Sequence, residues 1–500
     1  MRLQTFNGGL NIRVANQLAA VNEAITHLNI RDEKGDIRPL NNKVAIGTVS
    51  GLYRYYFESL AVWVHSNTNR DYVEYQEKLY YTEVGGVPKV FDGTNEFNLG
   101  IFKPEIPPAV VLGAAGVLTG TYQYVYTYYN SNDGVESGPC QLSAEIVATS
   151  DQIVVSGITL PTDPQVDKIR LYRIGGNLTD FSLVVELSNI TTGYTDNITD
   201  TAILGDILTT INYVQAFSGL HSLVEAYGML FGIVGDKVYF TEIGLPWAWS
   251  EFNFIDLPTA GTGIAVTPNG LFLFTETRTI VLTGTTPETF QPFDASRSQG
   301  CVSHKSIAYN NEQVTWVSKD GLCLSTGGAI EVVTKNKLGK VTIYPKQAVV
   351  YDEVYYLIDN NNLIWVVDYR YGGEIKQYQF SDVTYLCTGN DTLLGYNIDS
   401  YYELFKGVGV YTWQYLSPVF VNGAYTERKK YKSLYMRSTG SITITIYITG
   451  TLVLTKTVTA TDTHEFKIPE EYKDGYSIQI GLTGTGEVHE LDWLPRGRAR

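Results

Sequence analysis

The sequence has few charged side chains and no long apolar run. Charged residues make up 18% of its 500 positions, below the ~25% of ordinary globular domains. No stretch of about 18 consecutive apolar residues occurs, as a transmembrane helix would require; the nearest run, at 108–118, is short and rich in Ala and Gly. The amino terminus also lacks the apolar core of a signal peptide. We therefore expect no stable membrane insertion.

Motifs for metal binding and nucleophilic catalysis are missing as well. The four cysteines form no CxxC pair and the six histidines form no HExxH or HxH pair, so neither a zinc site nor a dense disulfide framework is predicted. There is no GxSxG elbow and no GxxxxGK[ST] phosphate loop. We expect buried thiols in a reducing cytoplasm, no cofactor and no enzymatic activity. The four cysteines are Cys140, Cys301, Cys323 and Cys387, and the six histidines are His27, His65, His221, His304, His464 and His489.

Carboxylates remain as candidates for chemistry, because a glycosidase acid pair is defined by its separation in space. The simpler interpretation of these side chains is that they are solvated turn residues. Two oxygen-rich segments, at 130–134 and 196–200, faintly resemble cation-binding loops but lack the ligand order of an EF-hand; turn propensity explains both. The candidate carboxylates are Glu242, Glu251, Asp256, Asp320 and Glu353.

The charge balance is acidic: 37 Lys and Arg minus 52 Asp and Glu gives −15. This argues against tight wrapping of nucleic acid, which needs cations for the phosphates, but it does not exclude a passive conduit for DNA, where repulsion would be useful. The carboxyl end is the exception, with Arg496, Arg498 and Arg500 close together. These arginines either contact DNA or an acidic neighbour, or belong to a frayed tail.

The most abundant signal is tyrosine, with 37 copies, which together with Thr, Val and Ile favours strands. Apolar residues at helical spacing predict one short helix near 14–28, either a cap on the β body or a docking element. Beyond residue 51, paired apolar runs are separated by Asp-Gly and Asn-rich turns, the chemistry of hairpins. The runs lie at 61–65, 78–82, 237–241, 271–275, 279–282, 313–317, 322–324, 354–358, 363–367, 392–396 and 402–405.

These hairpin units return about every 40 residues, the period of a propeller blade; a set of unrelated antiparallel hairpins is the alternative. One segment breaks the period. Tyrosines alternate at 122–128, and its ~100 residues suit one immunoglobulin-like or fibronectin type III-like sandwich. The end of the chain alternates again, with isoleucines at 442, 444, 446 and 448, and predicts a small β-sandwich.

We therefore predict an all-β chain with a β-propeller-like body, an inserted sandwich and a carboxyl-terminal sandwich. The predicted regions are 1–50 (amino-terminal segment with the helix), 51–106 (first blade), 107–211 (inserted fibronectin type III-like domain), 212–420 (remaining blades) and 421–500 (carboxyl-terminal β-sandwich).

Two tryptophans, Trp247 and Trp249, lie in a predicted loop at 245–250. Exposed tryptophans stack on sugars or pack at protein interfaces. In a propeller they more often wedge neighbouring blades, so both a glycan-binding and a packing role are open for this pair.

Between residues 221 and 338 a series of short motifs follows in a distinctive order. They are VYFTE at 238–242, WSEF at 249–252, IDL at 255–257, GTGI at 261–264, GLFLF at 270–274, IVLTG at 280–284, GCVSHKS at 300–306 and VSKDG at 317–321. With FNGGLN at 6–11 and Glu23-Ala24, this order resembles the propeller of podovirus tail nozzle proteins, also called distal tail tubular proteins. The segment 107–211 resembles fibronectin-like modules of phage structural proteins.

The resemblance implies a structural virion protein in the tail of a short-tailed bacteriophage, made and assembled in the host bacterial cytoplasm. It implies a homohexameric ring below the portal-adaptor proteins, with tail fibres or spikes at its side. Double-stranded DNA would pass through the channel during genome ejection without sequence-specific binding. No catalytic residue is transferred. The alternative function is a glycan-binding or glycan-processing tail propeller that recognises a receptor.

Overall fold

The computed structural model shows an all-β chain built mainly from antiparallel sheets. In the part of the chain described, the only α-helix is the single turn Lys335–Leu338. Short 3-10 turns lie at Asp200–Ala202, Pro287–Thr289, His304–Ser306 and Glu470–Tyr472. The structure describes residues 2–3, 26–31, 37–48, 53–57, 62–65, 70–310, 313–369, 374–389, 391–397, 400–421 and 427–497.

The chain divides into two units. The first unit contains residues 1–68, 267–283 and 291–500, and the second unit contains residues 69–266 and 284–290. The predicted first blade region, 51–106, is thereby divided. Its hairpin Tyr53–Phe57/Val62–His65 belongs to the first unit, and its remaining strands belong to the second.

Two four-stranded meanders, the blade sheets of the second unit, flank a longer insertion. Tight turns join their strands, and Gln76 and Glu77 adopt positive φ of 50° and 60° at one of them, the conformation that matches strand twist in a two-residue hairpin. The strands are Tyr72–Tyr75, Lys78–Tyr81, Lys89–Phe91 and Glu96–Asn98 in one sheet, and His221–Ala226, Met229–Val234, Lys237–Phe240 and Phe254–Asp256 in the other. Tyr213–Val214 pairs with Trp249–Ser250, and Gly261–Thr267 is a further strand.

The insertion forms one connected six-stranded sheet around the long strand Ala109–Asn130. This strand pairs with Ile146–Ser156 up to Tyr122 and with Lys168–Gly175 from Tyr122 onward. A strand that changes partner along its length is one way in which a chain turns a corner in a sandwich. The fibronectin-like assignment remains a prediction. The other strands are Val135–Glu136, Leu178–Ser188 and Gly193–Asp196.

The first unit repeats the blade pattern. Its four-stranded meanders contain the predicted hairpins, which are confirmed as antiparallel pairs. This repetition makes the fold propeller-like. The strands are Gly270–Thr275, Thr279–Thr283 and Gln291–Ser296; Ala308–Asn310, Gln313–Ser318, Gly321–Ser325 and Glu331–Val332; Pro345–Tyr351, Val354–Asp359, Ile364–Asp368 and Glu374–Tyr378; and Tyr385–Gly389, Thr392–Tyr396 and Ser400–Val410.

The amino-terminal segment completes sheets that begin late in the chain. Asn41–Thr48 is the fourth strand beside Ser400–Val410. Thr26–Leu28 pairs with Glu374–Tyr378 on one side and with Trp413–Leu416 on the other. Of the predicted helix near 14–28, residues 14–25 lie outside the described part, and residues 26–28 are this strand. Ile30–Arg31 also pairs with Arg38–Pro39.

The carboxyl-terminal strands lie in two sheets that share one apolar core. The four isoleucines of Ile442–Ile448 face this core, as their alternation predicts, together with Leu434, Met436 and Trp493. One sheet contains Trp413–Leu416, Ile478–Gly484, Ile442–Ile448 and Thr451–Val458; the other contains Arg2–Leu3, Glu487–Gly497, Lys429–Thr439, Asp462–Lys467 and Asp474–Gly475.

Candidate functional site

A cavity of about 280 Å³ lies in the second unit beside Trp247. Aromatic and apolar walls come from Trp247, Tyr80 and Leu245, and polar groups come from Lys78 and Gln76. Its volume is near the lower end of the ~300–1,000 Å³ of ligand pockets. The cavity therefore has room for one small ring-sized ligand.

The polar groups of this cavity are held in place by the hairpin turn and the neighbouring loops. The Gln76 side-chain amide donates to the Gly244 carbonyl at 3.1 Å, and the Lys78 ammonium lies 2.6 Å from Asp133 Oδ1. The amide of the buried Gln165 donates to the carbonyls of Asn98 and Gly100. A ligand would therefore meet a prearranged set of amide and charged groups.

The two tryptophans of segment 245–250 have different environments. Trp249 is fully buried and packs with Leu220, Leu230 and an edge-on Phe217. Trp247 is half-buried, meets Tyr213 edge to face at 5.6 Å, and lines the cavity. A packing role therefore fits Trp249, whereas only Trp247 is placed to contact a ligand.

Three of the five candidate carboxylates lie in the second unit and two in the first. In the second unit, Glu242 accepts a hydrogen bond from Asn253 at 2.8 Å, and Asp256 is exposed, 3.9 Å from Lys237. Glu251 is also exposed. In the first unit, Asp320 accepts from Gln299 and pairs with Lys340 at 3.0 Å.

Glu353 is an exposed residue of a tight turn. Its φ of 61° follows 48° at Asp352, so the two residues form the hairpin between Pro345–Tyr351 and Val354–Asp359. For Asp320, the hydrogen bonds from Lys340 and Gln299 hold the pKa of the carboxyl below its usual value. Asp320 and Glu353 are therefore turn and surface residues, which agrees with the interpretation of the candidate carboxylates as solvated turn residues.

The oxygen-rich segment 196–200 surrounds the guanidinium of Arg173, which is fully buried. Arg173 is paired with Asp196, and its Nη2 lies 2.8 Å from Asp200 Oδ1 and donates to the Ile198 carbonyl at 3.0 Å. Tyr124 donates to Asp196 at 2.8 Å. Burial and the charge of Asp196 raise the pKa of Tyr124, so its hydroxyl stays protonated as a donor.

This buried network was not predicted from the sequence. The segment that faintly resembles a cation loop does hold a cation, but the cation is an arginine of the same module. The available signal was the pattern of Asp196 and Asp200 together with Arg173 in the alternating strand Lys168–Gly175. The other oxygen-rich segment is a turn: Asn130 Oδ1 accepts from the Asn132 amide at 3.0 Å, and Asp133 is paired with Lys78.

The four cysteines are buried and form no disulfide, which confirms the prediction of buried thiols. Burial raises the pKa of the Cys301 thiol to about 12 and that of Cys140 to about 11. Within the described ranges no group of three or more His, Cys, Asp and Glu side chains could hold a metal ion. The same ranges contain no helix long and apolar enough to cross a membrane.

A polar groove of about 500 Å³ lies in the first unit between Pro345–Tyr378 and Tyr385–Val410. Its buried Lys376 is 3.6 Å from Glu374 and 4.0 Å from Asp368. The opposite charges lie close together in this groove, so it is lined by an ion-pair cluster and not by charges of one sign.

The exposed apolar side chains are concentrated on the insertion. Val111 is 57% exposed, Leu112 50%, Val117 49% and, on the neighbouring strand, Val147 61%. Val111 and Leu112 are consecutive and so point to opposite faces of the strand. Monomeric proteins rarely expose such groups contiguously, and larger patches mark interaction sites. We call residues 109–121 the apolar edge.

Arg496 belongs to the strand Glu487–Gly497 and pairs with Lys430 in register. Arg498 and Arg500 lie outside the described residues. A contact of this basic end with DNA or an acidic neighbour therefore stays a prediction.

No family model matches the chain, and no curated protein sequence matches it. Solved structures match at low similarity. The computationally designed Ika8 protein is 12% identical, with 73% of this chain and 99% of that chain covered and a TM-score of 0.31. BamB from Moraxella catarrhalis is 9% identical (72% and 97% covered, TM-score 0.29), and Sqt1 of Saccharomyces cerevisiae is 8% identical (73% and 99%, TM-score 0.30). At these scores the fold rests on strand pairing within the chain itself.

Proposed function

We propose that this chain is a structural protein of the tail of a short-tailed bacteriophage, forming the distal nozzle ring through which the genome is ejected. The observation that carries the proposal is the position of the motifs that resemble those of tail nozzle proteins. In the second unit, the motif at 238–242 covers the strand Lys237–Phe240; in the first unit, the motif at 270–274 covers Gly270–Thr275. The shared residues are thus architectural, as a conduit requires.

A conduit needs no catalytic group, and the proposal includes the absence of enzymatic activity. Duplex DNA needs a passage wider than its own body, so we place the channel between subunits of a closed homohexamer. Acidic groups of a chain with a net charge of −15, where they line such a passage, would repel the phosphates of the passing DNA. DNA would then not stick, because nonspecific DNA affinity comes from cationic contacts. Portal-adaptor proteins would bind above, with fibres or spikes at the side.

The test is the location of the chain in virus particles. Mass spectrometry of purified virions should find it in stoichiometric amounts, and electron microscopy of the tails should show it as a closed ring on the tail axis. A single copy placed off the axis would contradict the conduit, and absence from the particle would contradict the whole proposal.

A second function, glycan binding by the tail, is favoured by the cavity beside Trp247. Aromatic faces stack on sugar rings, and Lys78, Gln76 and Asp133 supply hydrogen-bonding groups around the same space. This role is compatible with a structural protein, because a nozzle lies close to the host surface during ejection.

Saturation-transfer NMR with oligosaccharides of the host surface tests this role. We expect Lys78→Met and Gln76→Ala to weaken binding about tenfold, since each removes one hydrogen bond at ~1.4 kcal/mol per tenfold. Lys237→Met is the control, because Lys237 pairs with Asp256 on the surface and is not among the cavity-lining residues. Absence of saturation transfer from the unmodified protein to the oligosaccharide at ~10 mM ligand would rule out the glycan site.

A further inference from the structure

A second cavity, of about 510 Å³, lies within the first unit. Its lining comes from the loops that follow the strands Gly270–Thr275 and Gln313–Ser318 and from the segment 342–345. The volume falls within the ~300–1,000 Å³ of small-ligand pockets. The buried part of the lining is apolar, since Ile343 is 4% exposed and Val302 is half-buried. The exposed part therefore decides which ligand the cavity can hold.

Tyr344 supplies an aromatic ring to this cavity. Its exposed fraction of 64% is the largest among the tyrosines that the structure describes. The backbone around it is fixed, because its carbonyl accepts from the Asn360 amide at 3.0 Å and the preceding Ile343 packs in the core. An aromatic side chain held in solvent on a fixed backbone can stack against a ligand ring at little entropic cost.

Three polar side chains of the cavity make no hydrogen bond to any other residue that the structure describes. Ser303 caps no backbone group of the turn that follows it, and its carbonyl, not its hydroxyl, accepts from Cys301 and Ser306. The Thr342 hydroxyl and the Asn360 carboxamide are likewise uncommitted in that part of the chain. Two hydroxyls and a carboxamide offer donors and acceptors together. Sugar hydroxyls, which both donate and accept, match such a set.

The charges at the cavity cancel. Lys319 Nζ lies 3.0 Å from Glu276 Oε1, and no other described residue of the lining is charged. Two opposite charges so close together give little net attraction for either an anion or a cation. A phosphate would also have to compete with Glu276 for the lysine. The lining therefore favours a neutral ligand.

We propose that this cavity binds the pyranose ring of a neutral sugar. The apolar face of the ring stacks on Tyr344, and its hydroxyls bond with Ser303, Thr342 and Asn360. The site is separate from the cavity beside Trp247, which is lined by other residues and belongs to the second unit. It does not depend on the nozzle ring either, because a single chain supplies all of its groups.

Methyl NMR of the full chain, labelled at isoleucine, tests the site with glucose, galactose and N-acetylglucosamine as probes. Ile343 lines the cavity, and the variant Ile343→Val assigns its signal. We expect this signal to shift on titration with at least one of the three sugars, with a Kd in the millimolar range. The signal of Ile446, in the carboxyl-terminal core, should stay in place. Glucose 6-phosphate should bind no more tightly than glucose.

Variants separate stacking from hydrogen bonding. Tyr344→Ala should weaken binding about tenfold and Thr342→Val about fivefold, since the first removes the stacking ring and the second removes one hydroxyl. Tyr344→Phe should keep the affinity of the unmodified protein, because the ring remains. Tyr472→Ala is the matched control, because Tyr472 is 40% exposed in the same unit but does not line the cavity.

An unchanged Ile343 signal at ~100 mM of each sugar would overturn the proposal, as would a shift that Tyr344→Ala leaves intact. Tighter binding of glucose 6-phosphate than of glucose would contradict a neutral ligand. Because Tyr344 and Thr342 are exposed, circular dichroism of their variants should match the unmodified protein. Sugar binding seen by saturation transfer without a shift of Ile343 would refute this inference and leave the site beside Trp247 standing.

Discussion

Replacing Arg173 by Leu is expected to destabilise the inserted module by about 3–5 kcal/mol, the usual cost of leaving buried charges without their partner. Asp196 is fully buried and Asp200 nearly so, and Arg173 is paired with both. Tyr124 and the Ile198 amide would still bind Asp196, but hydrogen bonds alone do not neutralise it. Urea denaturation, followed by hydrogen exchange of peptides from 109–196, measures the loss.

Two further variants separate charge from packing. The triple variant Arg173→Leu/Asp196→Asn/Asp200→Asn should recover part of the lost stability, because no uncompensated charge is then left buried. Arg297→Leu removes an ion pair with Asp294 from an arginine whose side chain is 77% exposed, and should cost at most ~1 kcal/mol. If Arg173→Leu were as mild as Arg297→Leu, the network would not be a main support of the module.

A proline in the strand Asn41–Thr48 should destabilise the first unit at one of two adjacent positions. Ala45 pairs with Tyr402 and Val44 with Glu403, and successive N–H groups of a strand point to opposite edges. Because this strand is last in its sheet, one of the two N–H groups serves the ladder and the other points away from it. Proline at the serving position should cost at least about 2 kcal/mol.

Each variant is the control for the other, because both introduce a proline and the two positions are adjacent. Thermal unfolding monitored by circular dichroism should give a lowered midpoint for only one of Val44→Pro and Ala45→Pro. Equal, small effects of both would show that the amino-terminal strand contributes little to the sheet.

Strand hairpins were the part of the fold that the sequence predicted well. Asp320-Gly321 between two apolar runs sets a turn and a register locally, and the pairing of Val317 with Leu322 follows from it. Alternation likewise placed the isoleucines of Ile442–Ile448 in a core. In both cases the information lies within about ten residues of chain, where turn chemistry and the two-residue period of a strand act.

Pairings between distant segments were not predicted, because no local signal specifies a remote partner. Nothing in residues 26–28 indicates that they lie between Glu374–Tyr378 and Trp413–Leu416. Similarly, the segment 245–250 was predicted as a loop, whereas Trp249 enters a short strand with Val214. The candidate cavity beside Trp247 depends on such contacts, and so only its tryptophan was foreseen.

The strand Asn41–Thr48 is synthesised long before the strand with which it pairs. Its partner Ser400–Val410 is made roughly 350 residues later, which at ~5–20 residues per second is a delay of roughly 20–70 s. Throughout that time the nascent chain carries an unmatched strand, while the module at 109–196 can already close on itself. Loop-closure entropy delays the final pairing further. The pairing of this strand thus joins an early part of the chain to one made much later, and chaperones would have long access to this segment.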